Sequence, residues 1–364
     1  MNRLFLIILI FIFSTQGYAN ECKEFDFREK DQSMDGIKIS LQDANTGTCY
    51  ANTISMANDA WERSNGFANS DELLLTSYLA LASDYGMSLE RKFMRGKDKD
   101  RMFYFESGGA EALLNLMKMK KDYCSVKGGV PLLEQLTDDK LIKDMMALGK
   151  IYALYANAFG KKDVEKTIFN DEGYLKIKEN LIEENKEKLD GFISKLSKEP
   201  IKTDGHKFVH RMIVETCDKI KKLKWHKFSS FSFEDIIEAT HRTELKKSFI
   251  DFFSQKSNPQ PIIIGYCQSA LMKKSKSLDE LIESKTIKEY GDPDFDLGSY
   301  CGPHASLIVG RKEHDGECKF IVRDNHPCET EHATKMSAVC DETEYLIEEK
   351  RLTSYLMNIQ VITE

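Results

Sequence analysis

The sequence predicts an α+β protein, and three observations carry that expectation. A helical stripe follows Cys49, where Tyr50, Ile54, Ala57 and Trp61 recur at i, i+4, i+7 and i+11, the spacing of an amphipathic helix. From about 132 to 258, Lys and Glu dominate and the periodicity is helical throughout. Near the far end, two strand-like runs, one from His304 and one from Cys318 to Asn325, flank Asp315-Gly316, the signature of a β-hairpin.

The chain opens with a segment that reads as a secretory signal peptide over 1–19. Asn2-Arg3 is a short basic start, Leu4 to Phe13 is an unbroken apolar run, and Gly17-Tyr18-Ala19 supplies small residues for cleavage. The run is short for a membrane span, and an uncleaved anchor is the lesser alternative. Ala19-Asn20-Glu21 before Cys22 does not read as a lipidation box. A secreted or periplasmic protein without stable membrane insertion is expected, in a compartment where disulfides persist.

Composition narrows the classes further. The 364 residues are 41% hydrophobic and 30% charged, with a formal net charge of −7, which offers no electrostatic footprint for nucleic acid. There is no Cys-x-x-Cys and no His-Glu-x-x-His, so neither a metal nor another cofactor is expected.

Cys49 stands at the first turn of its helix with Thr48 as N-cap. There a thiol feels the positive end of the helix dipole and unsatisfied backbone N–H groups, both of which favour thiolate. The competing role is one half of a structural bridge. The nine cysteines, at 22, 49, 124, 217, 267, 301, 318, 328 and 340, are odd in number, so eight can pair and one remains. Eight cysteines allow 105 connectivities, which the sequence leaves open, and a Cys318–Cys328 bridge clamping the hairpin is the first choice among single bridges.

Asn69-Ser70-Asp71-Glu72 starts a second helix through Leu73–Leu75 and Tyr78–Ala82. A charged loop (91–101) and Phe103-Tyr104-Phe105 lead to Gly108-Gly109, which opens a helix with Ala110, Ala112, Leu113, Leu116 and Met117 on its apolar side. A glycine pair there lets backbone or ligand approach closely. Within 132–258, Leu189, Phe192, Ile193 and Leu196 form one stripe, and the mixed charges read as a solvated face or a docking surface. His206, His210, His226 and His241 lack ligand-spaced companions and are expected to be surface or satisfied histidines. The run from Pro261 to Cys267 reads as a buried strand.

These parts suit thiol chemistry. A thiolate attacks a carbonyl carbon, an imidazole holds and returns the proton, and an Asn or Asp fixes the ring. Gln42 beside the Cys49 N–H supplies an oxyanion donor. In this order the sequence resembles the papain-like cysteine peptidases. Gln42 with GTCYA resembles the family's Gln…Gly-Ser-Cys-Trp-Ala segment, and Glu106-Ser107-Gly108-Gly109 resembles the Gly-Gly segment that lines the substrate cleft. The run from His304 to Gly310 resembles the His strand, and the run from Phe320 to Asn325 the Asn strand. The match covers about 40–135 and 260–330. It implies a two-lobed core, with a helical lobe over 20–131 carrying Cys49 and a β lobe over 259–364 carrying His304, separated by the helical insertion 132–258.

Several positions depart from the family. Gln42 lies seven residues before Cys49, one more than usual, and Tyr50 stands where the family has Trp. Ser107 and the 46–48 stretch lack family cysteines, and His326-Pro327 follows Asn325 where the family has Ser-Trp-Gly. No long helical pro-segment is expected between Ala19 and Gln42, and the insertion is the segment placed to cover the cleft or bind a partner.

Strand parity frames the third catalytic residue. With a two-residue loop, 314 pairs with 317 and 306 with 325, so Asn325 shares a face with His304 and Asp324 points away. A three-residue loop with a glycine bulge reverses the choice, as does a gap-free match to the family's Ile-Val-Lys-Asn. Asn325 is the expected orienter and Asp324 the alternative. The resulting expectation is an exported peptidase acting on peptide or protein substrates. Acyl transfer with the same triad and a catalytically silent binding protein are the alternatives.

Overall fold

The computed structural model describes residues 22–29, 37, 48–67, 74–87, 110–127, 147–149, 151, 164–179, 183–198, 205–215, 217, 219–224, 227–231, 260–273, 276, 280 and 301–363. The expected signal peptide, Gln42, Phe103–Phe105, Gly108 and Gly109 lie outside them.

In chain order the elements begin with β1 (Phe25–Asp26), α1 (Cys49–Ser64), β2 (Leu74–Thr76), α2 (Tyr78–Met87), α3 (Ala110–Lys120) and β3 (Asp122–Lys127). Four helices follow: α4 (Val164–Phe169), α5 (Glu172–Glu179), α6 (Glu183–Lys198) and α7 (Gly205–Glu215). Then come β4 (Lys219–Lys222), β5 (Lys227–Phe231), β6 (Ile262–Cys267), α8 (Gln268–Met272), β7 (Pro303–His314) and β8 (Glu317–Arg323). The chain closes with α9 (Thr330–Met336), β9 (Val339–Asp341), β10 (Glu344–Glu348), α10 (Glu349–Thr353) and β11 (Leu356–Thr363). The protein is thus mixed α and β, and every ladder among the described residues is antiparallel.

The large sheet runs β5-β11-β6-β7-β8-β10-β9, with β1 also on β7, and a small sheet runs β2-β3-β4. Both faces of the large sheet's central strands, β6 with the inner parts of β7 and β8, are apolar. Ile263, Leu307, Val309 and Ile321 join the core of the helical side, whereas Ile264, Ile308, Phe320 and Val322 pack with α8, α9 and α10 side chains such as Leu271, Met336 and Leu352. A strand buried on both sides needs a continuous apolar run, which is why Ile262–Cys267 does not alternate.

Three sequence expectations are corrected. The helix at Cys49 is buried around nearly its whole circumference from Tyr50 to Glu62, including Asn52, Asn58, Asp59 and Glu62. It is a central helix, and Asn58 Nδ2, Asp59 and Glu62 find partners inside the protein. Leu74–Thr76 is strand, paired with Ser125–Lys127, and the helix begins only at Tyr78. Among its described residues the 132–258 stretch is helical over α4–α7, with Leu189, Phe192, Ile193 and Leu196 buried, but β4 and β5 are strands. There β4 pairs with β3 and β5 with β11, so tertiary pairing overrides the charge-rich helical pattern.

Four disulfides join Cys22–Cys318, Cys124–Cys217, Cys267–Cys301 and Cys328–Cys340, and Cys49 is the free cysteine. The expected Cys318–Cys328 bridge is not formed. Cys318 is the second residue of β8 and Cys328 lies past its other end. At about 3.3 Å per strand residue that separation exceeds disulfide reach. Four bridges point to an oxidising, non-cytoplasmic compartment. Among the described residues no helix is long and apolar enough to cross a membrane.

Candidate active site

The site forms where the start of α1 meets β7. Cys49 is the first residue of α1, and the Thr48 carbonyl accepts from Ala51 and Asn52 at 2.9 and 3.1 Å. Thr48 therefore starts the helix through its backbone; its side chain makes no capping hydrogen bond. The first-turn N–H groups face the thiol's end of the helix. One turn on, Thr53 Oγ1 donates to the Ala305 carbonyl at 3.1 Å and pins α1 to the strand that carries His304.

His304 sits near the start of β7, opposite Tyr266 of β6. Its Nε2 lies 2.7 Å from Asp324 Oδ1, and the ring also hydrogen-bonds Cys49. With Nε2 engaged by Asp324, Nδ1 is the nitrogen left for the thiol. Asp324 is nearly inaccessible, at 3% side-chain exposure, and Oδ1 also accepts from the Asn325 N–H at 2.6 Å. That backbone bond fixes the carboxylate before it meets the ring.

The expectation of Asn325 as orienter is corrected here. The loop is the two-residue one, with Asp315 and Gly316 both at positive φ (57° and 77°), and 314 pairs with 317 as parity requires. The register then shifts inside the strand. Gly310 stands opposite Ile321, but Ile308 stands opposite Val322 and Leu307 opposite Arg323, leaving Val309 as an extra residue in β7. A bulge reverses the parity of everything beyond it, so the face of His304 and Ser306 receives Asp324.

Charge follows geometry. Burial pushes the Cys49 thiol up, but the His304 charge and hydrogen bond and the Ala305 backbone outweigh it, against opposition from Asp324; the net is below the ordinary thiol value. Burial pushes His304 down, and the charges of Asp324 and Cys49, with their hydrogen bonds, carry it well above the ordinary imidazole value. Thiolate and imidazolium therefore stabilise each other, and a carboxylate stabilises the imidazolium.

Two further residues complete the surroundings. Tyr266 is fully buried, its ring lies edge-on to the His304 ring at 5.7 Å and 89°, and its hydroxyl is 3.2 Å from Ser306 Oγ. Burial, reinforced by Asp324, holds the phenol well above its usual range, so it remains a neutral O–H. Half-buried His326 is pushed below the ordinary imidazole value by burial and by the His304 charge, against Asp324. His326 stands beside the triad where the family resemblance has Ser-Trp-Gly, whereas Tyr266 carries no mark of the site in the sequence. Tyr266 joins the site only through the β6–β7 register, which no local motif encodes.

Of the sequence-predicted residues, Cys49, His304 and Asp324 come together, and Asn325 contributes its N–H to Asp324. Gln42, Gly108 and Gly109 lie outside the described residues. His210, expected to be satisfied, has its Nδ1 2.6 Å from Ser83 Oγ. Among the described residues no group of His, Cys, Asp and Glu is arranged to hold a metal. No protein-family model matches this chain, and no curated protein matches it.

Proposed function

We propose that the protein is an exported thiol hydrolase with a papain-like, two-lobed core that cleaves peptide bonds of peptides or proteins. The observation that carries this reading is the chain of contacts from the one free cysteine, at a helix start, to His304 and on to Asp324 at 2.7 Å. Cys49 is the nucleophile. Its thiolate adds to the scissile carbonyl, and the Cys49 N–H at the start of α1, with Gln42 as partner donor, stabilises the oxyanion. His304 gives its proton to the leaving amine, then takes one from the water that releases the acyl group. Asp324 keeps the ring oriented and supports its positive charge. Four disulfides support the extracellular or periplasmic setting.

The test is the pH dependence of Cys49 alkylation in the folded, oxidised protein, with His304→Ala beside it. The expected parent profile has an acid limb below the ordinary thiol range near ~8.5, and the variant loses it. An ordinary thiol profile in the parent ends the hydrolase reading. Product analysis on peptides with and without an added amine then separates hydrolysis from acyl transfer.

A further inference from the structure

The bulge that aims Asp324 at His304 does not stand alone. Val309, the extra residue, directs its carbonyl to the N-terminal strand, where it accepts from the Phe27 N–H at 2.9 Å. On the same stretch of β7, Phe25 pairs with Arg311 and Asp26 with Gly310. Gly310 leaves no room for a side chain: a Cβ there would lie 2.9 Å from the Phe25 carbonyl and 2.5 Å from Ile321 Cδ1. The segment 22–28 is pinned at both ends. Cys22 is bridged to Cys318 of β8, and Arg28 meets Asp26, Asp341 and Glu344 at 2.6, 2.7 and 3.0 Å. Glu344 in turn holds Arg323 at 2.6 Å, the residue before Asp324, and Arg323 Nη1 donates to the Ile37 carbonyl at 2.7 Å.

The apolar pattern specifies the β7–β8 register weakly, because residues 305–309 and 320–322 are apolar on both faces apart from Ser306. Something other than hydrophobic alternation must favour the bulged pairing. We propose that the N-terminal segment 22–28 is a register lock: by satisfying the Val309 carbonyl and bracing Arg323 it holds the β7 bulge, and so positions Asp324 against His304. Phe27 and Arg28 are positioning residues, acting through β7 and β8. This rests on the thiolate–imidazole reading for its functional consequence, but the register itself can be read without chemistry.

The experiment compares the full chain with a triple variant, Cys22→Ser/Cys318→Ser/Arg28→Gln, and with Arg28→Gln alone, which keeps the disulfide. Two readouts are taken: cross-strand NMR contacts between Leu307 and Arg323, and the acid limb of Cys49 alkylation. Releasing the segment is expected to weaken the 307–323 contact. The acid limb is expected to rise by at least about half a pH unit, roughly threefold in rate at a fixed pH on the limb. Arg28→Gln moves both in the same direction by less, and decides the question should the triple variant fail to fold. Deleting Gly310 in the released background is the rescue. Val309 then stands opposite Ile321, the ladder needs no extra residue, and Leu307 still meets Arg323, so contact and limb are expected to return.

The lock is overturned if released variants keep the 307–323 contact and the limb while Asp324→Asn moves the limb. It is equally overturned if the Gly310 deletion restores the contact but not the limb. An ordinary thiol profile in the parent sinks the hydrolase reading instead, and the NMR contact still decides the lock.

Discussion

Helix α1 carries a buried ionisable cluster toward each end, and the two behave in opposite ways. At its start, Cys49 meets His304 with Asp324 on the far side of the ring, and opposite signs attract across a low-dielectric interior, holding the thiol below its ordinary value and the imidazole well above its own. Toward its end, Asp59 and Glu62 place two carboxyl groups in one interior. Asp59 accepts from the Thr76 N–H at 2.9 and 3.1 Å and from Thr76 Oγ1 at 2.5 Å, while Tyr123 donates to Glu62 and Lys221 reaches Glu62 at 3.3 Å. Burial pushes Asp59 up to about 7, the Thr76 and Lys221 contacts restraining it and Glu62 adding to it. Burial, with Glu62 beside it, also drives Tyr123 far above its usual range. The lesson is that burial alone does not make a reactive group. The sign of the neighbours decides whether the interior holds charge or expels it.

The largest effect is expected of Asp324→Ala. With the carboxylate gone, His304 loses the largest influence raising its pKa, and turnover is expected to fall about 10²–10⁴-fold. Asn325→Ala, which keeps the backbone N–H to Asp324, is expected to stay within about tenfold. Steady-state kinetics on one peptide substrate compares them, and equal losses would remove Asp324 from its assigned role.

Next in size is the Asp59 end, where the readout is stability. Its folded pKa stands above the unfolded value, so its contribution is fully present below about pH 4 and is lost as pH rises through about 7. The gap between the folded and unfolded values corresponds to on the order of 4 kcal/mol. Urea unfolding of the parent should therefore weaken across that window relative to Asp59→Asn, while the acid limb of Cys49 alkylation is the same in both. A flat difference between the two stability curves would show that Asp59 is ionised throughout.

Smaller effects sharpen the active end. Tyr266→Phe keeps the ring against His304 and gives up only the hydroxyl contact with Ser306, costing about 1 kcal/mol of stability and leaving the acid limb in place. Thr53→Val loses the bond to the Ala305 carbonyl and is expected to lower activity only a few-fold, with about 1 kcal/mol lost in thermal unfolding.

Much of this site is legible in the sequence. Cys49 could be singled out because an odd cysteine at a helix start is a local pattern, and the Asp315-Gly316 turn because its φ requirements are local too. The same local reading failed at Leu74–Thr76, where pairing with β3 overrides a helix-like pattern, and at 219–231, where two sheets recruit strands from charge-rich sequence.

An α+β protein with one thiol left over and a histidine strand to meet it follows from the amino-acid order alone. Those features depend on residue type, short spacing and an odd count. Which carboxyl or amide faces His304 depends on how the strands pair. A single extra residue, Val309, flips every side chain beyond it, and its place in the ladder depends on a strand nearly 300 residues away in the chain, as the 296-residue separation of Cys22 from Cys318 shows. Register is a property of paired backbones, and apolar strands buried on both faces carry no mark of it.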